Sequence, residues 1–102
     1  MFTFNETNYE LEYSLKRLER IENLTGKATV PLIQETNGYF PIGPLKQYFG
    51  MALKKAGADT YLDLQTAYDI FAQIVKEMGY AEVCGLVLEA LSRDCPFLFP
   101  KD

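Results

Sequence analysis

The sequence predicts an α+β fold in which an N-terminal β-hairpin packs on a bundle of about four short helices. The first residues alternate between apolar and polar, as in half-buried strands. Later segments instead place apolar residues three and four positions apart, as in amphipathic helices. With 102 residues, 48% of them hydrophobic, the chain is long enough for one core and too short for two. We therefore expect residues 1–102 to form a single domain.

The hairpin prediction rests on Phe2 and Phe4 and on the alternation that runs from Tyr9 to Leu15. Residues 5–8 between these segments are Asn, Glu, Thr and Asn, which favour a turn. One face of the hairpin is aromatic and aliphatic. A two-stranded hairpin is only marginally stable alone, so we expect helices to cover that face.

The first helix is predicted to begin at Ser14, whose hydroxyl can cap the opening turn, and to end at Gly26. Its apolar residues recur at spacings of three, at Leu15, Leu18, Ile21 and Leu24. A short second helix is expected over residues 31–35. It lies in a stretch, residues 27–43, that prolines and glycines interrupt.

The remaining pattern predicts three longer helices. One opens at Gly43-Pro44, continues to Ala56 and contains Gly50, where we expect a neighbouring backbone to approach closely. Another begins near residues 59–60 and ends at Gly79. The last follows directly and cannot continue past Pro96, so these two closing helices should be neighbours.

The residue types argue against an enzyme. The chain has no histidine, which is the commonest general base and zinc ligand, and only two cysteines. We expect Cys84 and Cys95 to be free thiols, and we predict no catalytic residue, no metal ion and no cofactor. Glu10 and Glu12 could divide acid and base roles if burial separated their pKa values, but the strand alternation places both on a solvated edge.

Charge and hydropathy restrict the partners. The net charge is −4 and the middle of the chain is only mildly basic, far below the basic stripe that phosphate neutralisation requires. We therefore expect no nucleic acid partner. No apolar run approaches the roughly 18 residues of a membrane span, so we also expect no membrane association. The first residues lack the features of a signal peptide, which favours the cytoplasm.

Two aromatic segments are candidates for partner binding. Tyr39 and Phe40 lie in the irregular stretch, which either packs back on the core or forms a binding loop, with packing favoured. Residues 96–102 form a candidate flexible tail whose apolar side chains either make a contact surface or fold back as a cap. The candidate partner-binding residues are thus Tyr39, Phe40, Phe97, Leu98 and Phe99.

The order of these segments resembles that of a known family. A hairpin leads into the strand-to-helix run Tyr9–Glu19, and Leu24-Thr25-Gly26 ends the first helix. A proline and glycine break, a helix around Tyr48–Leu53 and two closing helices follow. This order is similar to that of the tail assembly chaperones of long-tailed bacteriophages and prophages, including their relatives in gene transfer agents. The resemblance covers most of the chain.

The resemblance implies a non-enzymatic protein of the bacterial host cytoplasm that is needed to build the phage tail. Such chaperones bind the tape measure protein while tail tube subunits polymerise around it, so the major tail protein is a further candidate partner. Self-association is left open. The alternative is a small phage or prophage adaptor or regulatory protein that binds a host protein through its acidic helical face.

Overall fold

The computed structural model describes residues 1–99, which form a three-stranded antiparallel sheet, five α-helices and a closing 3₁₀ turn. The elements are β1 (Phe2–Phe4), β2 (Thr7–Leu11), α1 (Leu15–Thr25), α2 (Thr29–Thr36), α3 (Ile42–Ala52), β3 (Leu53–Lys55), α4 (Leu64–Met78), α5 (Tyr80–Asp94) and the 3₁₀ turn Pro96–Leu98. The α+β class is confirmed. The finer prediction of a hairpin on about four helices needs refinement, because a third strand joins the hairpin and the described residues form five α-helices.

The hairpin forms as predicted but with a tighter turn. β1 pairs with β2 in the register Phe2 to Tyr9, and only Asn5 and Glu6 connect the strands. Both turn residues have positive φ angles, of 48° and 62°. In a two-residue hairpin loop, this turn geometry matches the right-handed twist of the flanking strands. Thr7 and Asn8, expected in the turn, belong to β2.

The third strand corrects the prediction that α3 continues to Ala56. The helix ends at Ala52, and Leu53 adopts an extended conformation with φ −76° and ψ 131°. The free edge of β2 decides this, because its backbone groups pair with the segment, as in the bond of 3.0 Å from the Ala56 N–H to the Asn8 carbonyl. Leu53 is fully buried in the strand, and the helical spacing also predicted an apolar, buried position, so the apolar spacing could not distinguish helix from strand.

Local caps set the helix ends. The Ser14 hydroxyl accepts a hydrogen bond from the Arg17 N–H at 3.1 Å, and Gly26 ends α1 with a φ of 71°, both as predicted. α4 begins at Leu64 with Asp63 as its cap, about one turn later than predicted. The delay arises because residues 56–62 form a loop that β3 holds through the Leu62 N–H and the Leu53 carbonyl, 3.0 Å apart.

The core lies around α3, which is buried along most of its length and packs against α1, α4, α5 and β2. Gly50 lies where α3 meets α4. A Cβ built there would be 2.5 Å from the Tyr68 ring, so the close neighbour is an aromatic side chain and the prediction of a neighbouring backbone is wrong. None of the helices within residues 1–99 has the length and apolar character needed to cross a membrane.

Candidate functional site

The two aromatic residues of the irregular stretch face opposite ways. Tyr39 is 58% exposed and stacks on Tyr80, with ring centroids 6.3 Å apart. Phe40 is 0% exposed and stacks on Tyr48 at 5.3 Å, and the Tyr80 hydroxyl donates a hydrogen bond to its carbonyl. The prediction of Phe40 as a partner-binding residue is therefore wrong, because its ring is part of the core. Tyr39 stays a candidate.

The C-terminal aromatic segment combines both alternatives offered for it. Phe97 is 59% exposed, whereas Leu98 and Phe99 are half-buried and pack against the core. Backbone hydrogen bonds from Leu98 to Cys95 and from Phe99 to Pro96 hold the segment as a 3₁₀ turn. The last three positions of the candidate flexible tail, residues 100–102, lie outside the described residues.

Two grooves run beside α1, one along each flank. Groove A is lined by Leu15, Leu18, Glu19, Glu22 and Leu98, and it has a volume of about 360 Å³. Groove B is lined by Arg20, Asn23, Leu24, Met51 and Leu64, and it has a volume of about 380 Å³. Of the five candidate partner-binding residues, only Leu98 lines one of these grooves, namely groove A. The other four lie elsewhere on the fold.

Two α1 leucines are exposed although the pattern placed them in the buried stripe. Leu15 is 70% exposed and Leu24 is 55% exposed, while Leu18 and Ile21 between them are buried. At 3.6 residues per turn, each step of three residues falls about 60° short of a full turn, so Leu15 and Leu24 lie about 180° apart around the axis. Residues that are spaced three apart therefore do not stay on one face of the helix but shift progressively around it. This signal in the sequence could have identified both leucines as flanking residues.

A buried polar chain fixes α1 against α2 and α3. The Glu22 carboxylate accepts hydrogen bonds from the Thr29 N–H at 2.8 Å and from its hydroxyl at 2.7 Å. Because that hydroxyl gives its proton to Glu22, it accepts the hydrogen bond of the Tyr48 hydroxyl, 2.8 Å away. Burial raises the pKa of Tyr48, so its hydroxyl stays protonated and can donate. Glu22 thus anchors the start of α2 while it lines groove A.

The other flank of α1 is held by Arg17. Its Nε donates to the Met51 carbonyl at 2.5 Å, and its guanidinium carbon lies 3.9 Å from the centre of the Tyr61 ring. Burial lowers the pKa of Arg17 from its very high ordinary value. The Tyr61 hydroxyl in turn donates to the Glu12 carbonyl at 3.0 Å. Both flanks of α1 are therefore fixed to the core.

Glu10 on β2 and Glu12, just after the strand, share a lysine. The Lys54 ammonium on β3 lies 3.2 Å from Glu12 and 3.6 Å from Glu10, and the Lys54 side chain is nearly buried. The hydrogen bond that Lys54 donates to the Glu12 carboxylate raises the pKa of Lys54 and keeps it charged. The polar edge predicted for these two glutamates is therefore an ion-pair cluster across the β2–β3 ladder. Sequence reasoning missed it because it placed Lys54 on a helix.

A further polar cluster joins the end of α5 to the start of α1. The Asp94 carboxylate accepts from the Tyr13 N–H at 2.9 Å and pairs with Arg93 at 2.8 Å. Arg93 also donates to the Leu11 carbonyl. The hydrogen bond from Arg93, followed by that from the Tyr13 backbone, lowers the pKa of Asp94.

We expect this carboxylate to make stability pH-dependent. Because its pKa is lower in the folded chain than in the unfolded chain, its contribution is complete at neutral pH and is lost as the pH falls from the ordinary pKa of an aspartate through the lowered folded-state pKa. Asp94→Asn should lower the urea midpoint at pH 7, and the difference from wild type should shrink in acid. The exposed Asp59 provides a control as Asp59→Asn. A difference that is constant with pH would contradict this prediction.

Within residues 1–99, no three His, Cys, Asp or Glu side chains are grouped so that they could hold a metal ion. Cys84 and Cys95 are buried free thiols. Comparison of the chain with protein-family models, curated proteins and solved structures finds no significant match. The resemblance to tail assembly chaperones therefore stays a prediction.

Proposed function

We propose that this chain is a tail assembly chaperone of a long-tailed phage or prophage, which binds the tape measure protein in the host cytoplasm and catalyses no reaction. The major tail protein is a second candidate partner. The observation that carries the proposal is the pair of grooves along α1, with Leu15 and Leu24 exposed on its two flanks. Exposed apolar surface of this kind is typical of protein contact sites.

The shape of this surface favours a helical partner. A ridge formed by one helix between two grooves can contact the apolar stripe of an amphipathic helix, in the helix-in-groove mode of peptide recognition. A very long, helical and aggregation-prone protein would present many such stripes before assembly. A chaperone that covers them needs a rigid surface and no reactive group.

Co-expression with the tape measure protein tests the proposal. We expect the chain to keep that protein in the soluble fraction and to co-purify with it. The double substitution Leu15→Ser and Leu24→Ser should abolish both effects while circular dichroism stays unchanged, because both side chains are exposed. Ile42→Ser is the matched control, since Ile42 is 55% exposed but lines neither groove.

The same experiment separates the alternative function. An adaptor or regulatory protein that binds a host protein would leave the solubility of the tape measure protein unchanged. If wild type neither solubilises nor retains the tape measure protein, the chaperone proposal is wrong.

A further inference from the structure

We infer that groove A receives an amphipathic helix whose apolar stripe is flanked by lysine or arginine, so that the partner segment is basic. This inference rests on the proposed function and specifies which part of the surface binds and what it selects. The two grooves have similar volumes and both contain leucine, so apolar character does not distinguish them. Their charges do.

The charge of groove A has one sign. Two of its five lining side chains are carboxylates, Glu19 and Glu22, and no cationic side chain lines it. Groove B instead carries Arg20 and the neutral Asn23. Complementary charge at the rim of an apolar contact selects partners and speeds their association. A helix with lysines beside its leucines is therefore favoured in groove A, and one with glutamates there is repelled.

The walls of groove A are preformed. Glu22 is held by the backbone and the hydroxyl of Thr29, and Leu18 is anchored in the core. The backbone of Leu98, which also lines the groove, is fixed by the hydrogen bond of 3.0 Å from its N–H to the Cys95 carbonyl. A rigid site loses little conformational entropy when a helix binds. Leu15, 70% exposed at the mouth, is the side chain that binding would cover most.

Two synthetic peptides test the inference. Each is an amphipathic helix of about 20 residues, held helical by a staple on its polar face, with leucine at positions three and four apart. In one peptide lysine flanks the leucines, and in the other glutamate does. We expect the lysine peptide to bind the full chain at least about tenfold more tightly than the glutamate peptide in calorimetric titrations.

Substitutions in groove A should change this selectivity. Leu15→Ser should weaken binding of the lysine peptide by about tenfold or more, and Glu19→Lys should reduce the preference for lysine or reverse it. Ile42→Ser should leave both affinities unchanged. If Glu19→Lys leaves the preference unaltered, or if both peptides bind wild type equally, the inference is wrong.

Further outcomes identify a different occupant. If Leu24→Ser releases the tape measure protein while Leu15→Ser and Glu19→Lys retain it, groove B is the binding site, and the proposed function stands without this inference. If sedimentation shows that wild type self-associates and Leu15→Ser separates the copies, a second copy of the chain occupies groove A, and the inference is again wrong.

Discussion

Phe40→Ala should lower the free energy of unfolding by about 3–5 kcal/mol. Phe40 is fully buried and stacks on Tyr48 with an interplanar angle of 15°, so truncation leaves a cavity between α3 and the loop before it. Urea denaturation followed by circular dichroism measures the loss. Should the variant fail to fold, Phe40→Leu should still fold, with a smaller loss, because it keeps most of the apolar volume.

Tyr39→Ala is the matched control for Phe40→Ala. Tyr39 is adjacent in the chain but exposed, and its contact is the stacking on Tyr80. Its truncation should cost about 1 kcal/mol or less. A negligible loss for Phe40→Ala would mean that the Phe40 ring is not a core side chain, and an equally large loss for Tyr39→Ala would mean that Tyr39 also stabilises the core.

The second large effect should come from the buried polar chain that fixes α1 against α2 and α3. Thr29→Val keeps the side-chain shape but removes the hydroxyl between Glu22 and Tyr48, which leaves the Tyr48 hydroxyl without its acceptor in the core. A buried polar group without a partner costs about 1–3 kcal/mol. We expect a loss in this range, measured as the change in the free energy of unfolding at pH 7.

A double-mutant cycle separates this polar effect from a packing defect. Tyr48→Phe removes the hydroxyl that Thr29→Val would leave unsatisfied, so the double variant should be more stable than Thr29→Val alone. The bond of 2.8 Å from the Thr29 N–H to Glu22 involves neither substituted group, so we expect every variant to keep it. Strictly additive losses would show that the Thr29 and Tyr48 hydroxyls do not interact.

Sequence patterns predicted the elements that depend on neighbours in the chain. The Ser14 cap, the Gly26 end and the alternation of β1 and β2 are all found in the structure. Each depends on hydrogen bonds or turns that span only a few residues, so the residue types alone indicate them. The same patterns failed where an element distant in the chain forms hydrogen bonds with the segment. Leu53, for example, pairs with the free edge of β2 instead of continuing α3.

The candidate site was less predictable than the fold. Of the five residues chosen as partner contacts, Phe40 is in the core and only Leu98 lines a groove. Leu15 and Leu24 were assigned to the buried stripe and are exposed instead. The spacing of three residues already places Leu15 and Leu24 about 180° apart around the helix axis, but only the packed structure shows that neither side chain is covered.

The amino-acid order thus established the α+β class, most helix ends and the lack of histidine chemistry, since propensities, caps and side-chain types act locally. The tertiary structure alone decided that β2 recruits a third strand, that Phe40 faces inward, and that α1 lies between two grooves of different charge. These features depend on which surfaces remain after segments far apart in the chain have packed together.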